Sequence, residues 1–260
     1  NIPFAGFHDL LCVLMTGNRI TMKLSSDDSR LMPAIAALLV ETEPRFDEQL
    51  RIADGKLENM DAVIATGSNN SSRYFEYYFA KYPHIIRKNR HSAAVLTGDE
   101  SNGELAALCE DIFRYFGLGC RSVSKIFVPA GYDFNRFFEA AFPWGEKLIG
   151  NNKYMNNYDY NKAVYLLNST DLLDNNFLLL KEDTGLGSPA AMVFYEYYTD
   201  QDSLAERLRA DATNLQCLAG KVPPGIAPVV ALGQTQDPGP GDYADCVDTV
   251  HFLLTSLAHK

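Results

Sequence analysis

The sequence predicts an α/β fold with a mostly parallel sheet. Short β-rich runs alternate along the 260-residue chain with longer segments whose apolar residues recur at helical spacing. Strands that alternate with helices in this way are joined by crossovers, which place the strands parallel to one another. Hydrophobic residues make up 47% of the sequence and charged residues 22%, a globular balance that excludes disordered and collagen-like chains.

The part of the chain before residue 97 supplies the first strands and helices. Its β-rich runs are bounded by glycine and other turn residues, and one of them ends in Gly67-Ser68. The segments between these runs are apolar or aromatic at helical spacing. Strands are predicted at residues 19–24, 61–66, 84–88 and 92–96, and helices at residues 29–42 and 70–82.

The clearest helix is predicted at residues 101–116. Ser101 and Glu104 form an S-x-x-E capping box at its start. Six apolar residues follow on one face, and Gly117 and Gly119 are expected to end the helix.

The remaining elements continue the alternation. The apolar runs predict strands, and the segments with helical spacing predict helices. The turn-rich sequence at residues 237–242 separates the last helix from the rest of the chain. Strands are predicted at residues 124–129, 177–181, 192–198, 215–219 and 227–232, and helices at residues 133–149, 157–167, 201–210 and 245–257.

Charge and composition exclude several classes of function. The net charge of -10 makes the chain a poor non-specific nucleic-acid binder. No apolar run approaches the length of a membrane span, no signal peptide is recognisable, and no histidine has a partner at metal-ligand spacing. The five cysteines are widely spaced, which suits a reducing cytoplasm better than a disulfide framework.

Cys120 is the candidate nucleophile. It lies in Gly117-Leu-Gly-Cys120, between a predicted helix and an apolar strand, where glycines let the backbone turn and a substrate approach closely. The alternative is an inert buried thiol, which is the role we expect for Cys12, Cys109 and Cys217 on apolar elements. A thiol just beyond a helix C-terminus faces the negative end of the dipole, a disadvantage that Arg121 would offset.

Three further motifs are compatible with an anionic ligand. Thr66-Gly67-Ser68 follows a strand and opens a helix, as phosphate-binding turns do, although ordinary βα turns have the same pattern. Lys23 ends a strand and precedes Ser25 and Ser26; the alternative is an exposed strand-end lysine. The basic residues at 87–91 either contact phosphates or form a solvated strand end.

Taken in order, these motifs resemble the aldehyde dehydrogenase superfamily, and within it the long-chain fatty acyl-CoA reductases related to those of bacterial bioluminescence. Asn1-Ile-Pro-Phe4 is similar to the segment whose asparagine binds the oxyanion. Lys23-Leu-Ser-Ser26 resembles the ribose-binding lysine segment, Thr66-Gly-Ser68 the pyrophosphate turn, and Gly117-Leu-Gly-Cys120 the nucleophile loop. Segments such as EDIFRYFGLGCRSVSKIFVP and DYADCVDT are similar to the reductase branch specifically.

The resemblance implies an aldehyde-dehydrogenase-like fold with three parts. An incomplete Rossmann-like cofactor domain would occupy residues 1–97, with its N-terminal part absent. An α/β catalytic domain would occupy residues 98–240, and a C-terminal helix and tail residues 241–260. The glutamate that usually contacts the nicotinamide ribose has no clear counterpart; Gly185–Pro189 replaces it, and Glu182 is a loose candidate.

The resemblance also implies a reaction. Cys120 and Asn1 would be the catalytic residues, and Lys23, Ser25, Ser26, Gly67 and Ser68 would bind the cofactor. The substrate would be a fatty acyl-CoA, reduced to an aldehyde with NADPH as hydride donor, since Ser26 replaces the acidic residue of NAD-preferring relatives; NAD stays open. The family pattern is compatible with a homo-oligomer and with an acyl-transferring or synthetase partner.

Two alternatives to this function are open from the sequence. One is a CoA-acylating aldehyde dehydrogenase that acts on short-chain aldehydes. The other is a non-catalytic α/β binding subunit that kept the fold.

Overall fold

A computed structural model describes residues 3–25, 28–226 and 228–257. The chain divides into two compact units, one made of residues 1–89 and 239–260, the other of residues 90–238. The first unit therefore combines the beginning and the end of the chain. The second unit is continuous in sequence.

The first unit is built on two pairs of parallel strands, β1 with β2 and β3 with β4. Helix α1 contributes to two apolar clusters, to one through its buried Leu10 and to the other through its buried Cys12. The elements are α1 (Phe7–Met15), β1 (Ile20–Met22), α2 (Leu31–Thr42), β2 (Leu50–Ile52), β3 (Val63–Thr66), α3 (Asn69–Phe79), β4 (His84–Arg87) and α9 (Thr249–Leu257).

The second unit contains a seven-stranded sheet among the described residues, in the order β11-β10-β5-β6-β9-β8-β7. Its strand pairs are parallel except for β7 with β8. The strands are β5 (His91–Val95), β6 (Val123–Pro129), β7 (Leu173–Asp174), β8 (Leu179–Glu182), β9 (Met192–Tyr198), β10 (Leu215–Gly220) and β11 (Val229–Val230). The helices are α4 (Asn102–Phe113), α5 (Asn135–Ala141), α6 (Gly145–Ile149), α7 (Asn152–Leu167) and α8 (Gln201–Ala210).

The core of the second unit lies on both faces of this sheet. The larger apolar cluster includes side chains of α4, α5, α6 and α7, while the smaller one includes Leu204 and Leu208 of α8. Strands covered on both faces are typical of parallel sheets, and they explain the nearly continuous apolar run of β6.

The predicted α/β class is confirmed, and most elements lie where the sequence predicts them. Helix α4 begins with the predicted capping box, in which Ser101 and Glu104 each bond the other's backbone amide. Three short or terminal elements, α1, β2 and β7, are absent from the prediction. The predicted helix at residues 133–149 is divided by a 3-10 turn at Phe142–Trp144, where Pro143 cannot donate a helical hydrogen bond.

Two boundaries differ from the expected ones. Helix α7 begins at Asn152 rather than at residue 157, because the Asn151 side chain accepts from the amide of Tyr154 and caps it. Residues 90–97, which the sequence assigns to the first domain, contribute β5 to the sheet of the second unit. Among the described residues, no helix is long and apolar enough to cross a membrane.

Candidate functional site

Cys120 lies in a turn between α4 and β6, and its side chain is exposed. Helix α4 ends at Phe113, earlier than the expected position at Phe116. Tyr115 and Phe116 then adopt positive φ angles of 59°, so the chain leaves the helix axis before it reaches Cys120. Because the dipole acts mainly within the last helical turn, the expected disadvantage for a thiolate at this position is largely removed.

Hydrogen bonds hold the turn from inside the unit. The hydroxyl of Ser92, at the start of β5, donates to the carbonyl oxygen of Cys120 over 2.9 Å. The amide of Gly119 donates to the Ser122 hydroxyl over 3.3 Å, and the amide of Ser122 donates to the Gly119 carbonyl over 3.0 Å. The backbone around the candidate nucleophile is therefore fixed, although its side chain faces solvent.

Three of the other cysteines are buried, as the sequence predicts. Cys12, Cys109 and Cys217 are buried, and burial raises the pKa of each thiol, that of Cys109 to about 12. A thiol with a raised pKa holds little thiolate at neutral pH and reacts slowly. Cys246 is exposed like Cys120, but it lies in the first unit.

A partly buried charge network, which the sequence does not predict, lies against the loop after β8. Lys125, on β6, is fully buried, and its ammonium lies 2.8 Å from the carboxylate of Glu196 and donates to the carbonyl of Asp183. Arg207 on α8 binds the same Glu196 carboxylate over 3.0 Å and donates to the carbonyl of Thr184. Desolvation lowers the pKa of Lys125. The available signal was a lysine inside the otherwise apolar strand 124–129.

His91 lies against this same loop. A Cβ atom at Gly187 would overlap its imidazole ring, so the close approach requires glycine at that position. Burial lowers the pKa of His91, which leaves the ring neutral at pH 7. Glu182, the loose candidate for a ribose contact, is the exposed last residue of β8.

The Gly67-Ser68 turn of the first unit joins β3 to α3 as predicted. The Ser68 side chain caps α3 by accepting from the amide of Ser71 over 3.2 Å. An added Cβ at Gly67 would lie 2.8 Å from the Cβ of Ser71 and 2.9 Å from the ring of Phe75. Only glycine therefore lets the chain pass this close to the first turns of the helix.

Lys23 and Ser25 follow β1 and are exposed. Ile20 of β1 and Ile64 of β3 pack on the same apolar cluster, so both candidate cofactor segments belong to strands that share a core. The predicted site residues Asn1 and Ser26 lie outside the described residues.

The basic segment at residues 87–91 does not present all its cations to solvent. Arg87 has a side chain only 4% exposed, and it pairs with Asp9 over 2.6 Å and with the hydroxyl of Thr249 over 2.9 Å. The interpretation of Arg87 as a phosphate ligand or as a solvated strand end is wrong, because its charge is compensated inside the first unit. Lys88 pairs with Glu76 on the surface over 2.8 Å.

Within the described residues, no group of three or more His, Cys, Asp or Glu side chains is arranged to hold a metal ion. The second unit presents the exposed thiol of Cys120 in a turn that is held by hydrogen bonds. This arrangement suits nucleophilic catalysis by cysteine.

The sequence profile of the acyl-CoA reductase (LuxC) family matches residues 1–148. A search of curated proteins finds no significant match.

Solved structures with a similar fold include aldehyde dehydrogenases. Indole-3-acetaldehyde dehydrogenase of P. syringae, solved as a C302A mutant with NAD+ and IAA, superposes with a TM-score of 0.62 at 12% identity, over 83% of this chain and 52% of that one. Lactaldehyde dehydrogenase of Escherichia coli gives 0.61 at 13% identity, over 83% and 54%. An NAD-dependent aldehyde dehydrogenase of Sinorhizobium meliloti gives 0.61 at 12% identity, over 84% and 50%.

The chain thus spans about half the length of these similar structures. At such low identity the likeness concerns the fold, while the profile match covers more than half of the sequence. The chain belongs to the acyl-CoA reductase (LuxC) family and has the fold of the aldehyde dehydrogenase superfamily.

Proposed function

We propose that the protein is an acyl-CoA reductase that converts a fatty acyl-CoA thioester to an aldehyde through an acyl-enzyme on Cys120. The observation that carries this proposal is the exposure of Cys120 in a hydrogen-bonded turn, while the other cysteines of the second unit are buried. Membership of the acyl-CoA reductase family supports the choice of substrate.

In the first step, the thiolate of Cys120 attacks the carbonyl carbon of the thioester. A new carbon–sulfur bond forms, the bond to the CoA sulfur breaks, and CoA leaves with the electron pair. The backbone amide of Cys120 and the side chain of Asn1 would stabilise the oxyanion, where fixed donors lower the barrier most. The rigid turn at Cys120 keeps its amide in place for this purpose.

The residues of the first unit fit a nicotinamide dinucleotide. The Gly67-Ser68 turn presents the start of α3 without a side chain at residue 67, as a pyrophosphate at a helix N-terminus requires. Lys23, Ser25 and Ser26 would hold the adenosine ribose. When bound, a reduced nicotinamide supplies the hydride that converts the acyl group to an aldehyde. The similar P. syringae and S. meliloti enzymes support this class of cofactor.

We propose NADPH as the preferred form of the cofactor. An acidic residue at position 26 would bind the ribose hydroxyls and repel a 2′-phosphate, whereas Ser26 is uncharged and Lys23 is close in sequence. Steady-state rates with NADPH and NADH test this preference. A strong preference for NADH would contradict it.

The roles of the three parts of the chain follow from these assignments. Residues 1–97 would bind the cofactor, residues 98–240 would carry the nucleophile, and residues 241–260 would form a C-terminal helix and tail. We place the enzyme in the cytoplasm, because cysteines that form no disulfide suit a reducing compartment. A homo-oligomer and an acyl-transferring or synthetase partner are part of the same proposal.

The deciding experiment is mass spectrometry of the protein after incubation with acyl-CoA, without reduced cofactor. A single acyl adduct on Cys120, absent from Cys120→Ser, is expected. A series of acyl chain lengths, followed by aldehyde release with NADPH, separates a fatty acyl-CoA reductase from a short-chain CoA-acylating enzyme. No adduct on any cysteine, together with iodoacetamide labelling of Cys120 no faster than Cys246, would indicate a non-catalytic binding subunit.

A further inference from the structure

Residues 233–237, which follow β11, form a strap that lies along α4. The strap is attached at its centre to Asp111, a fully buried carboxylate on α4. Gly233 donates its amide to Asp111 over 2.6 Å, and Thr235 donates its amide and its hydroxyl over 2.9 Å and 2.8 Å. Thr235 is also fully buried, so this attachment is shielded from water.

The other side of the strap contacts the turn that carries Cys120. The carbonyl of Thr235 accepts from the guanidinium of Arg121 over 3.3 Å, and the Gln236 amide donates to the Ser122 hydroxyl over 3.3 Å. Arg121 and Ser122 are the two residues that follow Cys120. Thr235 is thus bonded both to a buried carboxylate and to Arg121, and its neighbour Gln236 is bonded to Ser122.

Burying a carboxylate in order to hold a loop costs free energy, because desolvation of the charged group opposes folding. Burial raises the pKa of Asp111, while its three donors favour the charged form. An apolar contact would hold the strap at lower cost, but it would not fix the direction of the Thr235 carbonyl. Hydrogen bonds fix direction, which matters where a neighbouring group must be held in one orientation.

We propose that Asp111 and Thr235 are positioning residues for Cys120, acting through Arg121 and Ser122. This inference rests on the proposed function, in which Cys120 is acylated. Addition of the thiolate to a carbonyl requires the sulfur and the oxyanion donor to be aligned together, and small displacements of such groups lower rates strongly. Alkylation by iodoacetamide requires an accessible thiolate but no oxyanion donor. The two reactions therefore report differently on the geometry of the turn.

The test compares the wild type with Thr235→Val, Thr235→Ser and Gln236→Leu. Acylation of Cys120 by acyl-CoA is followed by mass spectrometry over time, and iodoacetamide alkylation of the same residue is measured in parallel. The matched control is Tyr158→Phe, which removes a buried hydroxyl that donates to Asp174 over 2.7 Å in the same unit. All measurements are made well below the unfolding temperature of each variant.

Thr235→Val should slow acylation at saturating acyl-CoA by about tenfold, with alkylation changed by less than about twofold. Thr235→Ser keeps a hydroxyl at this position and should retain most of the wild-type rate. Gln236→Leu should slow acylation by less than Thr235→Val does. Tyr158→Phe should leave both reactions unchanged.

Equal acylation rates in wild type, Thr235→Val and Gln236→Leu would overturn the positioning role and leave the proposed function intact. The same holds if acylation and alkylation fall in parallel, because the strap would then only support the fold. If wild type forms no acyl adduct at all, the proposed function fails, and this inference fails with it. If Thr235→Val does not fold, the test is made with Gln236→Leu, because Gln236 is partly exposed.

Discussion

The hydroxyl of Ser92 lies 2.9 Å from the carbonyl oxygen of Cys120 and links the start of β5 to the turn before β6. Ser92 is fully buried, and its hydroxyl also lies 3.1 Å from the sulfur of Cys217 on β10. Three adjacent strands thus meet at the backbone of the candidate nucleophile. The backbone that carries the exposed thiol is therefore bonded to a fully buried hydroxyl.

Replacing Ser92 by alanine should therefore affect both stability and chemistry. The loss of one buried hydrogen bond, which leaves the Cys120 carbonyl unpaired by Ser92, is expected to lower the free energy of unfolding by about 1 kcal/mol. Acylation of Cys120 should also slow in Ser92→Ala protein that remains folded, so that unfolding does not account for the lower rate. The matched control is Tyr198→Phe, which removes a side-chain bond of 2.8 Å to the Leu96 carbonyl, beyond the opposite end of β5. Equal acylation rates in the two variants would contradict the role of Ser92.

Cys120→Ser should abolish acyl transfer and leave the fold intact, because the thiol is exposed and packs in no core cluster. Cys109→Ser should do the opposite. Cys109 is fully buried on α4, so a hydroxyl there is expected to cost about 1 kcal/mol or more of unfolding free energy while acyl transfer is retained. Adduct formation and thermal unfolding of both variants check the pair. Substantial reductase activity in Cys120→Ser would refute the assignment.

Local signals in the sequence were sufficient for most of the fold. The capping box of Ser101 and Glu104, the apolar face of α4 and the alternation of strands with helices depend on residues close together along the chain. The burial of Cys109 and Cys217 also followed from their local patterns, since both lie on apolar elements.

Contacts between distant parts of the chain were beyond such reasoning. Asp111 and Thr235 are 124 residues apart, and nothing near Asp111 indicates that its carboxylate binds a later loop. The same holds for Lys125 and Glu196, 71 residues apart, and for Arg87 and Asp9, 78 residues apart. The end of α4 was misplaced because glycines at 117 and 119 masked an earlier break at Tyr115, which takes a left-handed conformation rarely adopted by such residues.

Gly67→Ala should weaken dinucleotide binding. The added Cβ would lie 2.8 Å from the Cβ of Ser71, so the first turn of α3 must shift away from the strand end. Overpacking of this kind is expected to cost about 1–3 kcal/mol of stability. Gly55→Ala is the control in the same unit, because a Cβ there meets nothing within 4 Å. The full-length enzyme is titrated with NADPH and NADH; unchanged affinity in Gly67→Ala would count against the turn as the pyrophosphate site.

Acidification should destabilise the protein partly through His91. Burial lowers the pKa of His91 in the folded state, so the unfolded chain binds a proton more readily near its ordinary pKa of about 6.5. The contribution of the neutral ring is full above this pH and decreases as the pH falls below it. Between pH 8 and pH 5, the unfolding free energy of the wild type should therefore fall by more than that of His91→Gln. His251→Gln, at an exposed histidine, controls for removal of an imidazole; parallel curves for wild type and His91→Gln would contradict the prediction.

The acyl-enzyme on Cys120 should persist in water yet return its acyl group readily to CoA. Hydrolysis needs a base that activates water, a contribution of about 10²–10⁴-fold. The stretch Ile86-Arg-Lys-Asn-Arg90, which precedes β5, is basic and contains no carboxylate. Arg87 is buried against Asp9 and cannot accept a proton, and free CoA brings its own thiolate as nucleophile.

The measurement is to form the adduct without reduced cofactor, remove excess acyl-CoA, and follow the adduct by mass spectrometry with and without free CoA. Slow decay in buffer and fast decay with CoA, accompanied by new acyl-CoA, are expected. Rapid decay in buffer with release of free fatty acid would mean that a base is present. His91 is then the first residue to replace, because its ring is neutral at pH 7 and half-buried against the loop that holds Gly187. If His91→Gln stops that decay, the imidazole is the base; if the decay continues, the base is another group. Rapid decay of the wild-type adduct contradicts the expected persistence in either case.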